Sequence, residues 1–533
     1  MNKRVNSPSP THPVPFGLAE VLGAEASWRD TFAWPLAPAT VFDAATRLLS
    51  RYNDLLVASK EDERHVLLLG RSFNRAAALM EAALAIQHEN DASIRLGGPN
   101  DLAVLRGDKP VEAGIESDSI LMRPSGGRAD FPALRRVVRT KTWSSWLGLP
   151  KALWWPDGLV VTHNKLLVAD VRRRSLALRY EAADVFLHKC LEGATGTASL
   201  FASADDLEKL VDAKVDALLN DPLLAPEMHL RLRALLRPVV HGDLFKADSV
   251  LAALERSPLI PRALWSGTGG YYPARALGLA AMRRGGTACR YDHGGTASLM
   301  ADTNFLASQE LAVSTELVMP TPQAAELVAP TARRLEPAPV GRITGNGGDP
   351  SLDPGRIWRR ATIPARRRVI YVGGPYYGFS QTFPPFPPSP VYIDWQHRLL
   401  AALARLPVDL RHKPHPGAMM RGRPSFLAPY APMLTGWFED ALGDADVVII
   451  DLAATTTLAI AMCSDRPLVL FDFGCMPFNP FVKDQVARRC RIIPVGHDER
   501  NRLTLDEAAM AEAVCCGPDC ADPSYFRSLF LGR

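Results

Sequence analysis

The sequence predicts an α/β protein of two domains, each built on a parallel sheet and facing the other across a central cleft. Three observations carry that expectation. The chain has 533 residues, 47% hydrophobic and 22% charged, too long for one hydrophobic core and too apolar for a disordered or fibrous protein. Short apolar runs alternate with helix-length segments in both halves, the pattern of strands joined by crossover helices. Between the halves, residues 329–368 turn to Pro, Gly and Arg without apolar periodicity, as a linker does.

In chain order, residues 1–17 are polar and Pro-rich. They read as a flexible tail, since no apolar segment follows the two basic residues as a signal peptide requires. The first domain is expected over 18–335. HVLLLG (65–70) is a buried-strand candidate, the run FNRAAALMEAALAI that follows is helical, and SDSILMR (117–123) is a further strand candidate. Trp143, Trp146, Trp154 and Trp155 cluster before the hairpin-like GLVVTHNKLLVADV, and this region reads as part of an insertion over about 143–240, with ordinary core packing as the plainer account. A long helix is expected over 204–237. Then RALWSG, GTGG, PARALGLAAMRRG and ACRYDHGG run strand, Gly loop, helix, strand in about thirty residues, the size of a βαβ unit.

The linker is placed at 336–366 and the second domain at 367–533. There RRVIYVGG is a strand with a glycine turn, YIDWQHRLLAALARL a helix, and VDLRHKPHP a strand ending in a motif. ADVVIIDLAATTTLAIAMC is a strand, loop and helix, PLVLFDFG another strand, and TLDEAAMAEAV a late helix capped by Thr504.

Composition narrows the function. With 61 Lys+Arg against 57 Asp+Glu the formal charge is only +4, which argues against a dedicated nucleic-acid binder. The 8 cysteines show no C-x-x-C pair, which fits a reducing cytoplasm, and Cys515, Cys516 and Cys520 lack a fourth ligand at metal-site spacing. The apolar stretch 445–463 carries Asp446, Asp451 and three threonines, so any membrane association is expected to be peripheral.

Ligands of parallel α/β folds bind beyond the C-terminal strand ends, and three motifs are expected there. In KPHP, prolines fix the backbone around His415, and His415 with Lys413 and Arg411 suits an anionic group such as a diphosphate; a turn histidine is the plainer alternative. After Asp451, the hydroxyls and amides of Thr455, Thr456 and Thr457 converge on a helix N-terminus, a place for phosphate unless one threonine merely caps the helix. In YDHGGT, His293 with adjacent Asp292 and two glycines is a candidate general base. Thr268, Gly269 and Gly270 form a weaker anion or acceptor loop, because Tyr272 stands where a third glycine would complete the dinucleotide fingerprint.

Together these motifs resemble the metal-independent GT-B transferases of bacterial surface polymers. These are the capsule polysaccharide glycosyltransferases, including Kdo-transferring enzymes, with polysialyltransferases and teichoic-acid CDP-glycerol glycerophosphotransferases as more distant relatives. Their His-Pro motif is matched by His415-Pro416 and their Ser/Thr pair by residues 455–457, and the resemblance implies that both bind the nucleotide phosphate. Tyr291-Asp292-His293-Gly294 is similar to the W-H-G-T motif of the teichoic enzymes and to the acidic pair before Gly in bacterial sialyltransferases. Both alignments put the base at His293, with Asp292 as a rival because the second pattern wants a carboxylate. The D-Y-S-S form of the teichoic enzymes is only loosely kept.

The resemblance, over about 266–474, implies a GT-B fold of two Rossmann-like domains facing a central cleft. It implies a cytoplasmic enzyme, at most peripheral to the inner face of the membrane. That enzyme takes a nucleotide-activated sugar as substrate, with no cofactor and no metal, and passes the sugar to a glycan or glycolipid acceptor. A CDP-alditol phosphotransferase, a UDP-sugar 2-epimerase and a non-catalytic glycan-binding protein stay as alternatives. HGDLFKAD (241–248), FDFG (471–474) and the Asp444-Ala445-Asp446 triplet are set aside as kinase-like or metal-binding look-alikes. The Pro-rich, aromatic stretch 376–390 could contact a base or sugar, and Arg366, Arg367 and Arg368 could attract a phosphorylated acceptor; a rigid surface loop and a solvated charge run are the plainer readings.

Overall fold

A computed structural model of the chain describes residues 12–16, 21, 26–58, 67, 72–98, 100–109, 157–174, 176, 178–192, 203–332, 342–355, 366–376, 386–415, 425–516 and 522–533. Strands β1 (His12–Pro15) and β2 (Ile94–Gly97) pair as a small parallel ribbon. The first large sheet holds β3 (Gly158–Thr162), β4 (Leu178–Tyr180), β5 (Ala263–Ser266), β6 (Thr287–Tyr291), β7 (Glu316–Met319) and β8 (Arg342–Gly345). It is parallel throughout, in the order β4-β3-β5-β6-β7-β8. The second holds β9 (Arg368–Val372), β10 (Asp409–Lys413), β11 (Val447–Ile450), β12 (Leu468–Asp472) and β13 (Arg491–Pro494). It too is parallel, ordered β10-β9-β11-β12-β13.

Both sheets are doubly wound: strand order reverses between β3 and β5 in the first and between β9 and β11 in the second, and such reversal points are where open α/β sheets bind ligands. The central strand β11 is buried along its whole length, as a parallel strand covered on both faces must be. Two Rossmann-like domains are thus present as expected.

Three boundaries differ from the sequence reading. GLVVTHNK is no hairpin within an insertion: it is β3 turning into helix Lys165–Arg173, which leads to the parallel β4. The turn is made by Asn164, whose side chain accepts from the Leu167 amide at 2.7 Å and so caps a helix where the sequence suggested a returning strand. The helix expected over 204–237 is two helices, Ala204–Leu219 and Pro226–Arg256, packed on each other and separated by residues 220–225, with Pro226 opening the second. β8 lies inside the expected linker, because its four residues pair with β7 and leave too short a run to be read as a strand.

The kinase-like HGDLFKAD sits within helix Pro226–Arg256, so it cannot serve as a catalytic loop. The late helix is Glu507–Cys515 and is capped by Asp506, not Thr504. The tryptophan cluster and SDSILMR lie outside the described residues, as do Pro416, Cys520 and all of HVLLLG except Leu67. Among the described residues no helix is long and apolar enough to cross a membrane.

The two domains share an apolar seam. One core cluster joins Leu317, Met319 and Ala324 of the first domain to Ile450, Leu458 and Met462 of the second and to Phe526 and Phe530 of the terminal helix Ser524–Leu531. That helix ties the walls together: Thr321 Oγ1 donates to the Leu529 carbonyl at 2.6 Å, the Asp349 amide to the Phe530 carbonyl at 2.8 Å, and Arg527 Nε to the Cys463 carbonyl at 2.8 Å.

Candidate active site

The loop after β6 and the helix after β11 meet across the seam. Gly294 and Gly295 have φ of +101° and +77°, a region costly for residues with a Cβ. A Cβ on Gly294 would lie 2.6 Å from Thr456 Oγ1, and one on Gly295 2.7 Å from Leu352 Cδ1. Close approach and backbone conformation therefore both demand glycine. We expect Gly294→Ala to destabilise the protein by about 2 kcal/mol and to reduce activity; wild-type denaturant unfolding for this variant would mean that the two loops do not meet here.

The imidazole of His293 is exposed by surface area yet stands in a crowded concavity. Desolvation lowers its pKa and the charge of Asp349 works against that. Exposure is the better guide to what His293 can reach, and crowding to how tightly it holds a proton.

Asp292 does not orient the imidazole as expected. Its buried carboxylate accepts from the Gly295 amide at 2.7 Å and so shapes the loop. Burial pushes its pKa up to about 7, against the pull of the Gly295 amide. The carboxylate coupled to His293 is Asp349, just after β8. It is buried, and Ser351 donates to it through both amide and hydroxyl at 2.8 and 2.7 Å. Burial raises its pKa, while Lys165 and His293 pull it back. A neutral imidazole next to an anchored carboxylate can take a proton from a hydroxyl and be stabilised once charged.

Across the cleft, Thr455 is the N-cap of helix Thr456–Cys463. Its Oγ1 accepts from the Leu458 amide at 3.2 Å and from Thr457 Oγ1 at 2.9 Å. The hydroxyl of Thr455 is therefore spent on the helix, and Thr456 is the threonine that faces the first domain. β10 and β11 both flank β9, so the end of β10 lies about 10 Å, two inter-strand spacings, from the end of β11 that leads into the threonines.

His415 and Lys413 are half-buried at that end. Burial lowers both pKa values, Lys413 lowers that of His415 further, and Glu439 opposes the shift at Lys413. Arg411 leaves the set: its guanidinium turns back to Asp409, with Nε 3.0 Å from Oδ1. The alternation that puts residues 409, 411 and 413 on one face of a strand also lets Asp409 capture the middle one.

The glycine loop is also corrected. The Gly269 amide donates to Glu310 Oε2 at 2.6 Å, so the protein's own carboxylate fills the place proposed for an anion at Thr268, Gly269 and Gly270. Behind it Arg275 and Arg290 are fully buried; Arg275 donates to the Gln309 carbonyl at 2.7 Å and Arg290 to that of Ala274 at 2.7 Å. Glu310 is 41 residues away from Gly269 in sequence, and nothing local signals it.

Gly373 and Gly374 after β9 likewise serve packing. A Cβ on Gly373 would lie 2.7 Å from Gln396 Nε2 and one on Gly374 3.0 Å from the Phe386 ring. Tyr376 is buried with its hydroxyl on Gln396, while 377–385 lie outside the described residues. The arginine run is used at the far end of the sheet: Arg367 donates to the Cys516 carbonyl at 3.1 Å, and Arg368 pairs with Asp409 and Asp444. Asp446 accepts from the Arg368 amide at 2.8 Å, so the acidic triplet is structural.

Two further residues shape the site. Asn164 Nδ2 donates to the carbonyls of Gly267 and Asp292 at 3.1 and 3.0 Å, which ties the ends of β3, β5 and β6 at the reversal point. Asp451 is buried under three donors, Tyr371 Oη at 2.5 Å, Tyr392 Oη at 2.9 Å and Trp395 Nε1 at 3.3 Å. The sequence signals both only weakly, as polar residues at the ends of apolar runs. Among the described residues no group of three His, Cys, Asp or Glu side chains gathers as a metal ion would need.

No protein-family model matches this sequence, and no curated protein matches it. Among solved structures, the glycotransferase of kitacinnamycin is similar at 14% identity with a TM-score of 0.33. SsfS6, a glycosyltransferase of Streptomyces sp. SF2575, is similar at 14% identity with a TM-score of 0.26. Each likeness covers 70% of this chain and 92% of the other. At scores this low neither carries weight for chemistry.

Proposed function

We propose that the protein is a GT-B glycosyltransferase that moves a sugar, without a metal ion, from a cytidine-linked donor to a hydroxyl of a bacterial surface glycan or its precursor. The observation that carries this reading is the meeting of Gly294 with Thr456, which brings the histidine loop of one domain to the helix N-terminus of the other. Each half alone is ordinary. Together they offer a base and an anion site on opposite walls of one cleft, as transfer from a phosphate leaving group requires.

In this scheme His293 takes the proton of the acceptor hydroxyl, whose oxygen attacks the anomeric carbon of the donor sugar. The bond from that carbon to the donor phosphate oxygen breaks, and the nucleotide leaves with the electron pair. Lys413, His415, Thr456 and the amides opening helix Thr456–Cys463 receive the charge. Asp349 stabilises the imidazolium. The cytidine base is the open part of this reading: it rests on the resemblance to the CDP-glycerol enzymes alone, and the nucleotide panel decides it.

The test is thermal stability with CMP, CDP, UDP and GDP in the presence of a chelator, since a ligand that favours the native state raises Tm. We expect a cytidine-selective rise that His415→Ala abolishes. No rise with any nucleotide would sink the transferase reading and favour a glycan-binding protein. Conversion of a free nucleotide sugar without acceptor would favour an epimerase, and transfer of an alditol phosphate a phosphotransferase.

A further inference from the structure

We propose that a cavity beside the His293 loop is the acceptor subsite and that it takes an apolar ring bearing an ammonium group, in preference to a phosphorylated or carboxylated one. The word acceptor rests on the transferase reading; the ligand class does not. The cavity encloses about 260 Å³, short of the range for drug-sized ligands but ample for one ring and a short arm. Three parts of the chain wall it: helix Pro38–Ala58, residues 300–305 of the first domain and residues 474–477 of the second.

Its apolar surface comes from Phe42, Met300, Phe305 and Met476, and its charge from Asp43 and Asp302. No Lys, Arg or His among the described lining residues balances these carboxylates. Asp302 Oδ1 accepts from the Asn304 amide at 2.8 Å, which fixes the carboxylate at the cavity wall, while Asp43 is exposed at the rim. An anion entering here meets two like charges. A cation with an apolar body meets complementary charge and gains from taking its ring out of water.

The place fits an acceptor. Met300 follows the short helix Thr296–Leu299, which continues from the His293 loop; that is on the order of 10 Å of chain at the rise of a 3₁₀ turn. The wall is pinned across the seam, because the Ala301 amide donates to the Pro477 carbonyl at 2.9 Å and the Asn479 amide to the Leu299 carbonyl at 2.8 Å. In the proposal a ligand anchored in the cavity presents a hydroxyl toward His293 and leaves the phosphate site free, which the joint binding of tyramine and nucleotide tests.

The probes are tyramine, p-cresol and 4-hydroxyphenylacetate, which share a ring and differ in charge. Titration by calorimetry should show tyramine binding about tenfold or more tightly than p-cresol, and 4-hydroxyphenylacetate not at all. Asp43→Lys, at an exposed position where folding is not at stake, leaves Asp302 balanced by one cation and should erase the preference for amine over acid. Thr46→Trp, which fills the cavity, should abolish tyramine binding, with retained nucleotide response as the check on its fold. Equal binding of amine and acid by the wild-type protein, or an undiminished amine preference in Asp43→Lys, overturns the proposal. Tyramine and nucleotide must also bind together, and mutual exclusion overturns the acceptor role. Nucleotide response without tyramine binding sinks this inference alone, and tyramine binding without nucleotide response sinks the transferase reading alone.

Discussion

His293→Ala should lower kcat at least 100-fold while leaving the nucleotide-induced rise in Tm intact, because loss of a positioned base costs about that much and the phosphate is held from the other domain. His415→Ala should do the reverse in binding, removing the nucleotide response. The pH profile separates a base from a bystander. Desolvation in its crowded surroundings lowers the His293 pKa from 6.5, so the neutral form that accepts a proton is lost only on acidification, and kcat/KM should climb through a value below 6.5 and level off at neutral pH. Asp349→Asn removes the charge that raises that pKa. The acidic limb should then move to still lower pH, while the plateau falls because the imidazolium has lost its stabilising partner. A plateau that falls with an unmoved limb would make Asp349 a loop anchor held by Ser351 and nothing more. Wild-type kcat in both His293→Ala and His415→Ala would remove the catalytic assignment altogether.

The two sheets were legible because buried parallel strands read as unbroken apolar runs, and VVII of β11 and LVLFD of β12 are covered along nearly all their length. The turn after β3 leaves no local trace, because it is closed by a single side chain, Asn164, whose partners Gly267 and Asp292 lie 103 and 128 residues away. The site divides in the same way. His293, Thr456 and the glycines between them announce themselves locally, since loops at strand ends need such residues whatever they bind. Asp349 does not: it reaches the loop only because the terminal helix holds residues 348–352 against it, with the Asp349 amide on the Phe530 carbonyl. Arg411 and the GTGG loop failed for a related reason. A sequence shows which groups can hold an anion, but not that Asp409 or Glu310 is the anion they already hold.

The same limit hid Asp451, and it sets the largest expected loss of stability. Asp451→Ala should destabilise the second domain by about 4 kcal/mol, since Tyr371, Tyr392 and Trp395 would each lose a buried acceptor at about 1–3 kcal/mol. Denaturant unfolding measures this, and a loss under about 1 kcal/mol would mean that the three donors find other partners. Asp451→Asn isolates the charge. Burial raises the Asp451 pKa from 3.8 to about 6 even though three donors favour the carboxylate. The folded state thus binds the proton more tightly than the unfolded chain. Its contribution is fully present below about pH 4, declines as pH rises to about 6 and stays constant above, a change on the order of 3 kcal/mol. Asparagine should remove that slope. The Gly374 amide donates to Tyr392 Oη at 2.6 Å and Gln396 Nε2 to Tyr371 Oη at 2.7 Å, which leaves each hydroxyl its own proton for Asp451, so this one carboxylate ties the end of β9 to the end of β11 ahead of the threonine helix. Asp451→Asn should therefore weaken nucleotide binding at pH 7 without a matching loss of folding stability, because the buried charge it removes is itself a cost to folding there, and equal losses would reduce the network to packing.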